Sequence, residues 1–151
     1  MIQRIQSLYL LAAFVMLAVA LFDQWVEYQV AGGLYSLGAW DTNVPQVDAF
    51  IIALPLIAAA LILPVNILTF RNRKRQITMS KYAIALCLAT VLVFAWVHYE
   101  AIDALKNLYG ELEIVYHTTV FFPLVAVVLI AMAMRHIRKD EELVRSADRI
   151  R

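Results

Sequence analysis

AFIIALPLIAAALILPVNILTF, residues 49–70, is a stretch of 22 residues without a charged side chain. A helix needs roughly 20 residues to cross the ~30 Å hydrocarbon core of a bilayer. Pro55 and Pro64 lie inside the stretch, and membrane helices tolerate proline better than soluble helices do. The stretch therefore predicts a helix that crosses a membrane, and it decides the fold class.

Three further runs lack charge and reach spanning length once their uncharged neighbours are included: residues 8–22, 82–97 and 120–134. The hydrophobic content of 63% and the mean hydropathy of +0.73 are also unusual for a soluble domain. We therefore predict an all-α membrane protein, a four-transmembrane-helix bundle that forms a single integral membrane domain over residues 1–151. The predicted spans are residues 5–22, 49–70, 80–98 and 117–135. They leave outer loops at residues 23–48 and 99–116, a cytoplasmic loop at 71–79 and a cytoplasmic tail at 136–151.

The basic residues are divided unequally between the two sides of such a protein. Twelve of the thirteen Lys and Arg residues precede the first span, lie at or between the facing ends of the second and third spans, or lie at or after the end of the fourth. Only Lys106 lies in either of the other two loops. The positive-inside rule assigns the basic side to the cytoplasm. We therefore expect a multi-pass protein of the bacterial inner membrane with both termini in the cytoplasm.

A cluster of basic residues between the second and third spans contains no acid. Each basic residue near an anionic membrane surface contributes about 1 kcal/mol of attraction. We therefore expect this basic cluster to contact anionic lipid headgroups. Its members are Arg71, Arg73, Lys74, Arg75 and Lys81.

The outer loops contain segments with the composition of β-strands. Residues 25–30 and 34–40 are rich in aromatic and β-branched side chains and flank Ala31-Gly32-Gly33, which predicts a small extracytoplasmic β-hairpin. In the second outer loop we expect the third helix to continue to Tyr109 and Gly110 to end it. The strand-like residues 112–117 that follow are able to join the hairpin as a further strand.

The predicted spans contain few side chains that could carry out catalysis or transport. Apart from Lys81 and Arg135 at their cytoplasmic ends, they hold no Asp, Glu, Lys or Arg, which proton relays and charged-substrate sites generally need. We expect Asn66, Thr69 and Thr90 to make interhelical or backbone hydrogen bonds. His98, Glu100, Asp103 and His117 could converge on the outer side, but their spacing follows no established metal-ligand pattern. Nucleotide-binding and nucleophile motifs are absent, so we predict no catalytic, cofactor or metal site and no binding of nucleic acid.

The C-terminal segment RHIRKDEELVRSADRIR, residues 135–151, is dense in charges of both signs. No Gly or Pro follows Pro123, so we expect the fourth helix to continue into it, with Glu141 and Arg145 as an i,i+4 ion pair. Such pairs contribute only ~0.2–0.5 kcal/mol, so a short helix here also needs packing. The segment is therefore either a solvated anchor or a helix that docks on the chain's own basic cluster or on another chain.

Both ends of the chain, MIQRIQ at residues 1–6 and KDEELVRSADRIR at residues 139–151, resemble the signatures of a family of small membrane proteins. That family is catalogued as domain of unknown function 4293 and is typical of Bacteroidota. The resemblance implies four membrane helices and no known activity; Ile150 stands where the family usually has Leu. A fixed order of residues is better explained by packing than by anchoring, which favours a docking tail. Its expected docking residues are Lys139, Asp140, Glu141, Leu143, Val144, Arg145, Asp148, Arg149 and Arg151.

Together these features predict a non-enzymatic accessory or scaffold protein, a small subunit or partner of a larger membrane complex that docks through its cytoplasmic tail. The alternative is a small transporter or sensor whose site lies beneath the outer aromatic loops. A water-filled polar cavity that reaches Asn66 or Thr90 would favour transport. A dry core of Leu, Ala and Val would favour the scaffold.

Overall fold

A computed structural model describes residues 2–70 and 72–148, with the side chains of residues 5–70 and 72–142. Within these residues the protein is mostly helical and carries one small sheet. The helices are α1 (Ile2–Phe22), α2 (Phe50–Leu68), α3 (Arg73–Tyr109) and α4 (Phe122–Asp148). The strands are β1 (Gln24–Val30), β2 (Gly33–Gly38) and β3 (Leu112–Tyr116), and a 3₁₀ turn at Thr118–Phe121 leads into α4.

The four helices pack side by side. The main contacts of α1 are with α2 and α4, and those of α3 are also with α2 and α4. The surfaces between them are apolar and rich in small residues, which let helix backbones approach closely. Fully buried examples are Leu10, Ala13, Leu17, Ala59, Ala83, Ala126 and Ala133.

Large apolar side chains also cover the outside of the helices. Leu8, Leu61, Leu92 and Val128 are each more than half exposed. Water-soluble proteins rarely expose apolar surface on this scale. In the part of the chain that the structure describes, four helices are long and apolar enough to cross a membrane, as the sequence predicts.

The third helix is longer than its predicted span and begins earlier. It starts at Arg73, so residues 73–79 of the predicted cytoplasmic loop are helical. The side chain of Asn72 caps the helix by accepting a hydrogen bond from the backbone N–H of Arg75 at 3.1 Å. Arg and Lys are good helix formers, so a run of charge does not by itself interrupt a helix. With 37 residues, α3 is about 55 Å long and exceeds the hydrocarbon thickness.

The fourth helix begins later than predicted. Residue 117 is extended, the 3₁₀ turn follows, and α4 starts at Phe122 rather than at 117. Pro123 is its second residue, where the missing N–H of proline costs nothing because the first turn has no intrahelical acceptor. At its other end the helix continues to Asp148, which confirms the predicted helical continuation beyond residue 135.

The predicted hairpin is present, and the third strand joins it to give a sheet with the order β2-β1-β3, antiparallel throughout. Gly33, with φ 142°, supplies the positive φ of the hairpin turn. Gly110, with φ 82°, follows the last residue of α3 as predicted. The predicted hairpin is therefore part of a three-stranded sheet.

The sheet packs on one end of the helices, called here the sheet end. Trp25, Val26 and Tyr28 of β1 are fully buried beneath it. The indole Nε1–H of Trp25 donates to the carbonyl of Ala20 in α1 at 2.7 Å, and its ring lies 5.0 Å from that of Phe94 in α3. The opposite end, with the α2–α3 connection and the last turns of α4, is called the tail end.

Candidate functional site

Asp140 is the central residue of the tail end. It is 8% exposed, although it lies in the charged part of α4 beyond the predicted span. Gln6 of α1 donates from Nε2 to Asp140 Oδ2 at 2.9 Å, and a guanidinium nitrogen of Arg73 donates to the backbone carbonyl of Asp140 at 2.6 Å. A buried carboxylate is costly unless it is hydrogen-bonded. These three residues, the Asp140 clasp, therefore tie α4 to both α1 and α3.

The residues just before Asp140 strengthen the same attachment. The ring of His136 stacks on that of Tyr9 in α1, with centroids 5.7 Å apart and an interplanar angle of 15°. Ile137 is fully buried. One face of the beginning of the charged segment is thus packed against the rest of the chain, while Arg135, Arg138 and Lys139 are exposed.

The structure places only some of the predicted docking residues. Lys139 is exposed, Asp140 is buried in the clasp and Glu141 is half-buried. The helix backbone continues through positions 143, 144, 145 and 148, but the side chains of Leu143, Val144, Arg145 and Asp148 lie outside the described ones. Arg149 and Arg151 lie outside the described residues altogether.

The basic cluster is divided between two environments. Lys74, Arg75 and Lys81 are exposed on α3, whereas Arg73 is half-buried because its guanidinium engages Asp140. Arg71 lies outside the described residues. Arg73 therefore contacts protein rather than being free for a headgroup, which composition alone does not reveal.

A polar network links α2 to α3 next to the clasp. The amide of Asn66 donates from Nδ2 to Ser80 Oγ at 2.9 Å, Ser80 Oγ donates to the carbonyl of Gln76 at 2.9 Å, and Gln76 Nε2 donates to the carbonyl of Asn66 at 3.0 Å. Asn66 Oδ1 is buried without a hydrogen-bond partner. Thr90 donates to the carbonyl of Leu86 within α3. The expected interhelical and backbone bonds of Asn66 and Thr90 are confirmed, whereas the roles of Gln76 and Ser80 are not apparent from sequence.

At the sheet end, His98 of α3 bridges two strands. Its Nδ1 lies 2.6 Å from the hydroxyl of Tyr28 in β1, and its Nε2 lies 3.0 Å from the hydroxyl of Tyr116 in β3. A neutral imidazole has one donor and one acceptor nitrogen, so the Tyr–His–Tyr chain has a direction. Burial, with a further contribution from Tyr116, raises the pKa of Tyr28 above its ordinary value. The Tyr28 hydroxyl therefore stays protonated and can hold the sheet on α3.

The other outer residues considered as metal ligands are kept apart. His117 Nε2 lies 3.1 Å from Glu27 Oε1, and Asp103 accepts from Asn107. Among the residues whose side chains are described, no group of three or more His, Cys, Asp or Glu is placed to hold a metal ion.

Comparison with known proteins adds a family relationship. The family model described as Domain of unknown function (DUF4293) matches residues 2–150, nearly the whole chain. No curated protein matches the chain.

Proposed function

This chain belongs to the DUF4293 family, as the resemblance at both of its ends suggests. The description of that family names no function, so we propose a function from the residues of the chain itself. It is a non-enzymatic accessory or scaffold protein of the bacterial inner membrane. It acts as a small subunit or partner of a larger membrane complex, and its cytoplasmic tail is the docking element.

The observation that carries the proposal is the Asp140 clasp. Gln6 and Arg73 hold Asp140 from two helices at 2.9 and 2.6 Å, so α4 leaves the helices in a fixed direction. A helix held at its base presents the residues beyond it to a partner with less ordering entropy than a free tail would lose. The helical backbone reaches Asp148, which extends this presentation by two turns beyond the clasp.

The interior supports a structural role rather than transport. Asn66 and Thr90, the two polar residues that a conduction path would use, are fully buried and bonded to neighbouring helix groups. Around them the core consists of Leu, Ala, Ile and Val side chains. Such an interior suits a rigid four-helix bundle that positions its ends.

The exposed apolar surface and the distribution of charge support the proposed membrane placement. In this arrangement the sheet end is extracytoplasmic and the tail end cytoplasmic. Lys74, Arg75 and Lys81 then lie at the cytoplasmic surface, where their exposed side chains contact anionic headgroups.

We expect single-cysteine variants to report this orientation in intact cells. With Cys87 replaced by Ala, Ala31→Cys in the hairpin turn should react with a membrane-impermeant maleimide added outside, since Ala31 is exposed and has no positive φ. Ser146→Cys should react only after the cells are permeabilised. Labelling of Ser146→Cys in intact cells would reverse the assigned orientation.

We expect truncation after Glu142 to separate docking from folding. This variant keeps Gln6, Arg73 and Asp140, so insertion and the melting temperature in detergent should change little. Recovery of co-purifying membrane proteins under mild detergent should fall by about tenfold or more, the effect of losing at least 1.4 kcal/mol of binding free energy. Quantitative mass spectrometry of affinity-purified samples measures both preparations side by side.

A matched variant guards this experiment against a general effect of the altered terminus. Replacing Arg145 and Arg149 by Gln keeps the length and the helix propensity of the tail while removing two charges. If the truncated protein retains the same partners in the same amounts, the tail is an anchor and the docking proposal is wrong.

The alternative function is a small transporter or sensor, and the Tyr28–His98–Tyr116 chain is the observation that favours it. The two functions predict opposite dependence on the two ends of the protein. A cellular phenotype that survives the truncation but is lost in His98→Asn would favour the alternative.

A further inference from the structure

A cavity of about 260 Å³ opens at the sheet end, between the end of α1 and the strand β2. A single water molecule needs only ~10–15 Å³ of such space, so the cavity can hold a larger group. Its lining contains both polar groups and apolar side chains. The side chains that matter are the carboxylates of Asp23 and Asp41, the indole of Trp40 and the ring of Phe22.

Local backbone geometry builds this cavity. Gly38 donates from its N–H to the carbonyl of Asp41 at 2.9 Å. A Cβ at Gly38 would lie 3.0 Å from the carbonyl oxygen of Asp23 and 3.4 Å from that of Asp41. The register between β1 and β2 shifts between Gln24 and Val26, next to the same point. A glycine and a bulge thus bring the two aspartates to one site.

The carboxylates have no cation of their own. Asp23 Oδ1 accepts a hydrogen bond from the backbone N–H of Gln24 at 2.9 Å. Among the described side chains, neither Asp23 nor Asp41 forms an ion pair. Lys106 is the only basic residue between the first and second or the third and fourth predicted spans. A cation that binds at this site would therefore come from outside the chain.

Trp40 indicates which class of cation fits the site. Its side chain is 50% exposed, and its ring meets that of Phe50 edge-on at 5.5 Å. An indole face attracts organic cations, best of all the aromatic residues. Two carboxylates beside an indole suit an ammonium group, which donates hydrogen bonds to oxygen and packs its carbon atoms on the ring.

An apolar groove of about 470 Å³ along α1 is adjacent to the cavity. The two share Phe22 and Asp23 in their linings. The groove passes over Ala18, a small residue between the larger Val15 and Phe22. It lies on the segment of α1 that is apolar enough to cross a membrane, and it ends where that segment ends.

We propose that this cavity and groove form a binding site for a phospholipid whose headgroup carries a primary ammonium, as in phosphatidylethanolamine. The ammonium lies between Asp23 and Asp41 beside Trp40, and one acyl chain follows the groove over Ala18. The site goes beyond the scaffold role and depends only on the proposed membrane placement.

Native mass spectrometry of the full-length protein released from detergent provides the test. Micelles contain equimolar phosphatidylethanolamine, phosphatidylcholine and phosphatidylglycerol with matched acyl chains. We expect phosphatidylethanolamine to be retained about tenfold over either competitor, the ratio expected from one charge-assisted interaction. The Asp23→Asn/Asp41→Asn double variant should lose that preference, whereas Glu113→Gln on the exposed edge of the sheet should keep it.

Two further measurements distinguish a lipid from a soluble ammonium compound and test whether the variants are folded. Ala18→Phe fills the groove, so it should lower retention of the lipid without changing the competition by soluble glycerophosphoethanolamine. Each variant is compared with the wild type by melting temperature, and the exposed, nearly isosteric Asp→Asn changes should leave it unchanged. Equal retention of the three lipids by the wild type, or an unchanged preference in the double variant, would overturn the site. If the cysteine labels still report the expected orientation, the membrane placement stands and only the lipid site fails.

Discussion

Replacing Trp25 by Ala should lower the free energy of unfolding by about 3–5 kcal/mol, the usual cost of removing a buried aromatic side chain. Trp25 is fully buried where β1 meets α1 and α3. The change removes the packing on Phe94 and the hydrogen bond to the carbonyl of Ala20. Because Trp25 follows the last turn of α1, the sheet should detach before the helices separate. Circular dichroism, whose signal does not depend on the removed tryptophan, measures the loss of stability. The protease sensitivity of the sheet measures its detachment.

Trp25→Phe is the matched control because it keeps an aromatic ring but removes the N–H donor and part of the ring system. We expect a loss of about 1–2 kcal/mol from the unpaired carbonyl of Ala20 together with the smaller ring. If Trp25→Ala were as stable as the wild type, the sheet would not be held on the helices by this residue, and the described packing would be wrong.

The second large effect is expected from Ala83→Leu in the interior of the helices. Ala83 is fully buried and belongs to a stripe of buried residues on α3 that includes Ser80, Cys87 and Thr90. Three extra carbon atoms at a close helix contact force neighbouring side chains or the backbone to move. Overpacking of this kind costs about 1–3 kcal/mol and occasionally more. A lowered melting temperature in detergent, with loss of compactness by size exclusion, is the expected result.

Ala85→Leu provides the control because the same substitution two residues along the same helix meets an exposed position. Leu and Ala have similar helix propensities, so the free energy of unfolding of this variant should lie within about 0.5 kcal/mol of that of the wild type. Equal destabilisation at both positions would indicate that residue 83 does not face another helix.

The sequence predicts the elements of this fold that depend on local pattern. Apolar runs mark the four helices, Gly32-Gly33 marks the hairpin turn, and Gly110 marks the end of α3. The helical start at Arg73 is not apparent from the charge pattern, because Arg73, Lys74 and Arg75 have the charge of a loop but the helix propensity of good helix formers. Charged side chains indicate contact with water, and both helices and loops can be in contact with water.

The candidate sites depend on contacts between distant residues, and for that reason they are mostly hidden from sequence. Gln6 and Asp140 are 134 positions apart, and Tyr28 and His98 are 70 positions apart. In both pairs, the sequence around one residue gives no indication of its partner. The choice of Asp140 as a docking residue anticipates its importance, but not that its side chain faces the chain's own α1. The orientation and the partner remain predictions.

The strand order of the sheet has a consequence for the sequence of events during synthesis. β1 lies between β2, which follows it immediately, and β3, which follows α2 and α3. The hairpin therefore emerges from the ribosome with one edge of β1 unpaired, and that edge stays open until the chain has been made beyond Tyr116. An open strand edge is prone to pair with a wrong partner. The sheet can therefore be completed only after α2 and α3 have been synthesised and β3 has reached the open edge of β1.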